Sequence, residues 1–461
     1  MSHAQPTRRP SRPSPALVLL ATLLASATAP ALAQDESAPA AAAPTAADLL
    51  KSADDVARQV EELTGRKFKQ PVPKSVLTKQ DLRQELARLM QKEYGKGRVE
   101  RLEAWLRALG LLQGERDLRA TMTDVLLSQI GGFYDPARKS FFMMAETAVY
   151  GDVINRTMVA HELCHALDDQ YTDLDKLLHP GRELTEDETY VVSGVVEGNA
   201  TVLMMRYMAQ AMRTGAKLTD LAKAAEQQKD QMEVLLAAPP YCALLAANYM
   251  VGMHFMTKGA GATAENMGTA PGDAMLEVVA AMPRSSEQLL HPDKYWNKDA
   301  RDEPVLLADD AAIATLLEQK LQCKVLERNT LGELVAALVA GPAERRLNAA
   351  LMARADYWTN KASKGWGGDR LFLLGTGGGT EGHAVEAPGV LWVTAWDTVA
   401  DREEFVAAVT KYRGEQPGFD VAAAGRVAVF AFGSARRLGG DGLQAVLAAA
   451  EFTQDGRPFA R

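Results

Sequence analysis

Apolar residues recur every three or four positions through most of 48–300, and that period predicts helices. Leu49, Val56, Val60 and Leu63 share one face, and Gly65 ends the run. A second helix begins at Thr78, with Asp81 three residues on as a variant of the capping box, and carries Leu82, Leu86, Leu89 and Met90. A third spans about Arg98 to Leu109 with Gly110 beyond its end, and a fourth spans Asp117 to Ile130. The pattern then changes: Gly132-Phe133-Tyr134 and Phe141 to Met144 flank the turn-rich 135–139, which reads as a β-hairpin. Helices resume near Val153 and continue to about Leu290.

Beyond about Ala300 the character shifts. Leu371–Leu374, Val390–Thr394 and Val427–Phe432 are strand-like, a helix from Asp401 to Tyr412 separates the last two, and another follows near Leu443. This predicts an α+β or βαβ module with a boundary near 300–330. Gly365–Arg370 lacks the Lys-Ser/Thr ending of a phosphate loop and reads as a tight turn; Gly377–Gly379 reads as a flexible loop. Tyr190–Met212 is apolar, but Glu197 and Arg206 interrupt it, and no clean run of about 20 apolar residues exists, so it reads as a buried core helix rather than a membrane span.

Composition narrows the function. The 461 residues are 47% hydrophobic and 24% charged, with a formal net charge of −8, so the chain lacks a basic footprint for nucleic acid. Residues 1–33 have the layout of a secretory signal: Arg8, Arg9 and Arg12, then an apolar stretch from Pro15 to Ala27, then Ala31-Leu32-Ala33. Cleavage there would leave an exported chain, periplasmic or secreted, of net charge −11. Residues 34–47 are an Ala/Pro-rich linker. In an oxidising compartment Cys242 and Cys323 could pair; buried thiols are the alternative.

The chemistry concentrates at His161-Glu162-Leu163-Cys164-His165. On a helix His161 and His165 project from one face, a spacing that holds Zn²⁺. Glu162 lies off that row and can take a proton from a water on the metal as general base. A hydrolytic site needs a third protein ligand, and a histidine continuation is absent because Asp168 and Tyr171 stand where Gly and His would be needed. Glu197 is the candidate: it is the only charge between Tyr190 and Met205, and a lone carboxylate on a buried helix is costly unless paired or metal-bound. Its neighbours include Gly194 and Gly198, which close approach of a second helix would explain. His179, Glu183, Glu186 and Glu188 are rival ligands in a more polar stretch. Asp168 or Asp169 could accept the second N–H of a ligand histidine.

With Glu197 about thirty residues after the histidine motif, this pattern resembles the gluzincin branch of zinc metallopeptidases. More closely, the chain is similar to a group of uncharacterised bacterial predicted metallopeptidases. That resemblance runs through Gly132–Pro136, Val159–Leu167, Val196–Thr201, Ser286–Pro292 and Gly365–Arg370. It implies a mainly helical zincin-like metallopeptidase domain over 48–300 with a small β-hairpin or sheet, followed by a C-terminal α+β domain over 301–461. It also implies zinc on His161, His165 and Glu197, Glu162 as base, and a peptide or protein substrate laid against the hairpin. Better-known gluzincins often carry an acid four residues after the ligand Glu, where this chain has Thr201. His291, His254, Tyr241 and Tyr249 are candidate donors to the oxyanion, and His291 is favoured, with Glu287 four residues before it as a partner. The alternatives are a non-catalytic envelope scaffold on the same fold and a metal-dependent hydrolase of non-peptide substrates. The oligomeric state is not legible.

Overall fold

A computed structural model describes residues 46–94, 97–114, 117–144, 152–215, 229–263, 265–267, 273–342, 347–454 and 457–458. The signal segment 1–33 and all but the last two residues of the linker lie outside the described residues.

The helical region opens with α1 (Ala46–Thr64), the short strand β1 (Lys74–Leu77), α2 (Lys79–Tyr94), α3 (Arg98–Ala108) and α4 (Leu118–Gln129). Local chemistry sets these ends: the Asp117 side chain accepts from Ala120 N–H, and Gly110 adopts a left-handed conformation past α3. The hairpin is β2 (Gly132–Asp135) and β3 (Ser140–Met144), paired antiparallel with Tyr134 opposite Phe141. β1 adds in parallel to the other side of β3, giving the order β1-β3-β2. The periodicity missed β1 because four residues with no regular alternation carry little signal.

Five helices follow in the described residues: α5 (Asp152–Thr172), α6 (Leu174–Leu178), α7 (Glu186–Arg213), α8 (Lys229–Leu236) and α9 (Pro240–Gly259). Three short helices lead out of this region: α10 (Met275–Ala280), α11 (Ser286–Leu290) and α12 (Asp293–Trp296). α7 is buried along most of its length, and among the described residues no helix is long and apolar enough to cross a membrane.

The C-terminal part comprises β4 (Leu306–Leu307), α13 (Asp310–Leu321), β5 (Lys324–Asn329), α14 (Gly332–Val339), α15 (Ala349–Met352), β6 (Trp366–Gly375), β7 (Gly389–Trp396), α16 (Val399–Arg413), β8 (Phe419–Ala424), β9 (Val427–Gly433), α17 (Gly439–Ala449), β10 (Phe452–Gln454) and β11 (Arg457–Pro458). Five strands form a sheet in the order β5-β6-β7-β9-β8, antiparallel at every neighbouring pair, and β4, β10 and β11 form a small separate sheet. The chain is therefore α+β. The βαβ alternative survives only in split form: α16 joins β7 to β8, which run the same way with β9 between them.

Alternation along these strands fills two cores. Val390, Trp392 and Trp396 of β7 and Phe430 and Phe432 of β9 pack toward the helical region. Leu391, Val393, Val429 and Ala431 pack toward α13 and α17. The first core runs without a break from Leu82 to Phe432, so the shift in sequence character near 300 does not mark a break in packing. Polar ties cross the same seam. Glu186 N–H donates to Asn329 Oδ1 (2.8 Å), and the buried Arg413 guanidinium donates to the carbonyls of Leu109 (3.0 Å) and Leu338 (2.9 Å) at two helix C-termini.

One expectation is corrected in part and one open alternative is closed. Gly365 does close a turn, at φ 77°, but Trp366–Arg370 is the start of β6: Gly368 approaches the Val305 carbonyl so closely that a Cβ would lie 2.2 Å from it, and Asp369 accepts from Leu331, Gly332 and Trp366. Cys242 and Cys323 form no disulfide, because Cys242 packs in the helical core and Cys323 beside the other face of the sheet.

Candidate metal centre

α5 presents His161 and His165 on one face, four residues apart, and α7 crosses it so that Glu197 meets them. The His161 and His165 Nε2 atoms lie 3.0 Å apart, and Glu197 Oε2 lies 3.4 and 3.6 Å from them. Ligand atoms about 2.0–2.1 Å from a tetrahedral zinc stand about 3.3–3.4 Å apart, so this triangle suits one such ion. Both imidazoles are wholly buried and Glu197 is 1% exposed, yet neither Glu197 oxygen has a well-formed hydrogen bond. A buried carboxylate left in that state is expensive, and a cation between the three atoms removes the cost. Burial works to raise the Glu197 pKa, but the two imidazoles outweigh it and hold the carboxyl below its ordinary value.

Glu162 sits beside this triangle, also buried. Tyr134 N–H of β2 donates to its Oε2 (2.8 Å), leaving Oε1 without a partner. Burial pushes Glu162 up to about 8, against the opposing pull of His161. The hairpin thus fixes the orientation of the carboxylate through a backbone donor, which no reading of side chains could have found.

A seam of glycines brings α9 against α7. A Cβ on Gly198 would lie 2.2 Å from the Gly252 carbonyl carbon, and one on Gly252 would lie 1.9 Å from the Gly194 carbonyl oxygen. The two glycines of α7 are therefore where a second helix approaches, as expected; Gly252 is the third member, hidden in an apolar helix. This contact carries Tyr249 to the centre, its ring 6.0 Å from that of His161 and its hydroxyl buried near Glu197 without a well-formed hydrogen bond.

The other named residues lie elsewhere. Asp168 accepts from Arg66 (2.5 Å) and Asn199 (2.9 Å), and Asp169 from Tyr134 Oη (2.6 Å), Lys139 (2.8 Å) and Leu174 N–H (2.8 Å). Neither supports a ligand histidine, whose Nδ1 atoms have no hydrogen-bond partner among the described residues; charged donors have claimed both carboxylates. His291, favoured as the oxyanion donor, pairs instead with the buried Glu333 of α14 (2.9 Å), and its expected partner Glu287 pairs with Lys294 (2.6 Å). Chain order could not show that α14 arrives there. Tyr241 donates to Glu186 (2.6 Å) and His254 is exposed, so of the four candidate donors only Tyr249 reaches the centre. The rival ligands are also engaged: Glu188 caps α7 through Thr185, His179 lies 3.2 Å from Asp175, and Glu183 lies 3.6 Å from Arg98 and Arg101.

A second acidic group, Glu287, Asp302 and Asp397, already surrounds a cation: Lys294 Nζ lies 2.6, 2.7 and 3.1 Å from the three carboxylates.

Fold and site together define an α+β protein with a buried His-His-Glu triangle and an adjacent carboxylate. A family model described as a domain of unknown function (DUF8575) matches residues 311–456, which include none of these four residues. No curated protein and no solved structure matches the chain.

Proposed function

We propose that the protein is an exported, zincin-like zinc metallopeptidase. The observation that supports this reading best is the three-atom triangle with an unsatisfied buried carboxylate, flanked by Glu162. His161, His165 and Glu197 would hold the ion, and a set of three protein ligands is that of hydrolytic rather than structural zinc. A bound zinc supplies a Lewis acid and makes a water more acidic. With zinc held by His161, His165 and Glu197, the added positive charge would favour the ionised form of Glu162, whose Oε1 would accept the proton of the attacking water while Tyr134 N–H holds Oε2. Tyr249 stands as the hydroxyl donor for the charge developing on the carbonyl oxygen. The second reading, a non-catalytic scaffold, draws on the near-total burial of all four side chains.

Metal analysis of the purified chain beside digestion of an unfolded protein decides between them. Zinc at one equivalent with turnover supports the peptidase, zinc without turnover supports the scaffold or a self-inhibited peptidase, and no zinc removes the peptidase. N-terminal sequencing of the exported protein checks processing after Ala33.

A further inference from the structure

The metal centre is sealed. Beside His165 and Glu197 lies a cavity of about 10 Å³, room for about one water, and α6 closes it with Leu174 and Leu178, together with Pro136 from the hairpin turn. No peptide reaches the histidines in this state. α6 is five residues long and is flanked by two left-handed positions, Asp173 (φ 55°) and Gly181 (φ 85°), where the chain reverses out of α5 and before α7. An aspartate in that conformation is strained.

What holds α6 down is specific. Asp169, buried on α5, accepts from Leu174 N–H at the start of α6 through Oδ1 (2.8 Å) and from Tyr134 Oη on β2 through Oδ2 (2.6 Å). Lys139, itself left-handed (φ 53°) at the tip of the hairpin, reaches the same Asp169 Oδ1 (2.8 Å) and lies 3.5 Å from Asp173. One carboxylate therefore ties the helix that covers the centre, the hairpin beside it, and the helix that carries the ligands.

We propose that α6 is a lid over the metal centre, pivoting at Asp173 and Gly181 and latched by Asp169, which accepts from Leu174 N–H of α6 and is itself held by Lys139 of the hairpin, and that the protein rests in a latched, inactive state. Its role as a gate to hydrolysis rests on the peptidase reading, but the motion itself does not. Opening uncovers the Ser193 and Val196 face of α7 beside Glu197 and gives an extended peptide a path between the hairpin turn and α6.

The test uses the full chain carrying Ser193→Cys, which places a thiol on the sealed cavity, and follows modification at that position by a small maleimide using peptide mass spectrometry. The latched lid predicts slow labelling. Lys139→Met, which removes one charge-assisted bond, raises the rate about fivefold, and Lys139→Arg restores it. Leu178→Ala raises it as well. Thermal unfolding of each variant separates lid motion from global opening. Equal labelling rates in the latch variants and the parent, or rate changes that merely follow global stability, would overturn the proposal. Because labelling requires no metal, a protein that binds no zinc but labels as expected keeps the lid and loses the peptidase, whereas a zinc peptidase whose labelling ignores Lys139 keeps the function and loses the latch.

Discussion

Gly198→Ala is the sharpest probe of how the fold builds the site. In an isolated helix the change helps, since Ala is favoured over Gly by about 1 kcal/mol. Here the new methyl meets backbone: 2.2 Å from the Gly252 carbonyl carbon, 2.4 Å from its oxygen and 2.7 Å from its Cα. Carbon atoms rest about 3.5–4.0 Å apart, so α7 and α9 must separate by more than 1 Å, and neither side can swing away as a flexible side chain would. Overpacking of this kind costs about 1–3 kcal/mol, and a backbone-to-backbone clash belongs at the upper end. Against the propensity gain, a net loss of about 2 kcal/mol is expected. The neighbour Glu197 makes the chemical consequence direct. If the seam opens, either α9 carries Tyr249 off the centre, or α7 drives Glu197 against α5 and distorts the 3.4 and 3.6 Å edges. Zinc affinity should fall roughly tenfold or more, the scale seen when support of a metal site is disturbed. Urea unfolding of the metal-free variant measures the first effect, and competition with a chromogenic chelator measures the second. A variant more stable than the parent with unchanged zinc affinity would refute the reasoning, because helix propensity would then have won.

Other outcomes follow from the same geometry. Glu162→Gln should retain zinc but lower peptide hydrolysis by about 10²–10⁴-fold, since an amide accepts no proton; unchanged turnover removes Glu162 as the base. Glu197→Ala should lose most of its bound zinc on dialysis, and full occupancy by elemental analysis excludes it as a ligand. In the metal-free protein Glu162 sits at about 8 against an ordinary carboxyl value near 4.5, so the folded state favours its neutral form. Its contribution to stability is therefore complete below about pH 4.5 and lost progressively up to about pH 8. Comparing urea midpoints with Glu162→Gln across that window should show the parent losing more stability as pH rises, and parallel curves would mean that Glu162 is ionised in the fold.

Much of the fold was legible one segment at a time. The Thr78 cap, the Gly110 stop, the hairpin and the α7 core helix all follow from short-range chemistry: a cap, a left-handed glycine, or a period of 2 or 3.6. The pair His161 and His165 was equally legible, because four residues of helix fix their geometry whatever surrounds them. Glu197 could be singled out because one charge in a long apolar helix needs a partner.

What tertiary structure decided is every question of which partner. Asp168 and Asp169 lie within one turn of His165, yet Arg66, Asn199, Lys139 and the α6 backbone take them, and His291 passes to a glutamate from a distant helix. The backbone donor that orients Glu162 and the Gly252 seam leave no trace in residue type. Local periodicity fixes which face of a helix a residue occupies. Only packing brings two faces together, and hydrogen bonds and charges are satisfied by distance in space rather than along the chain.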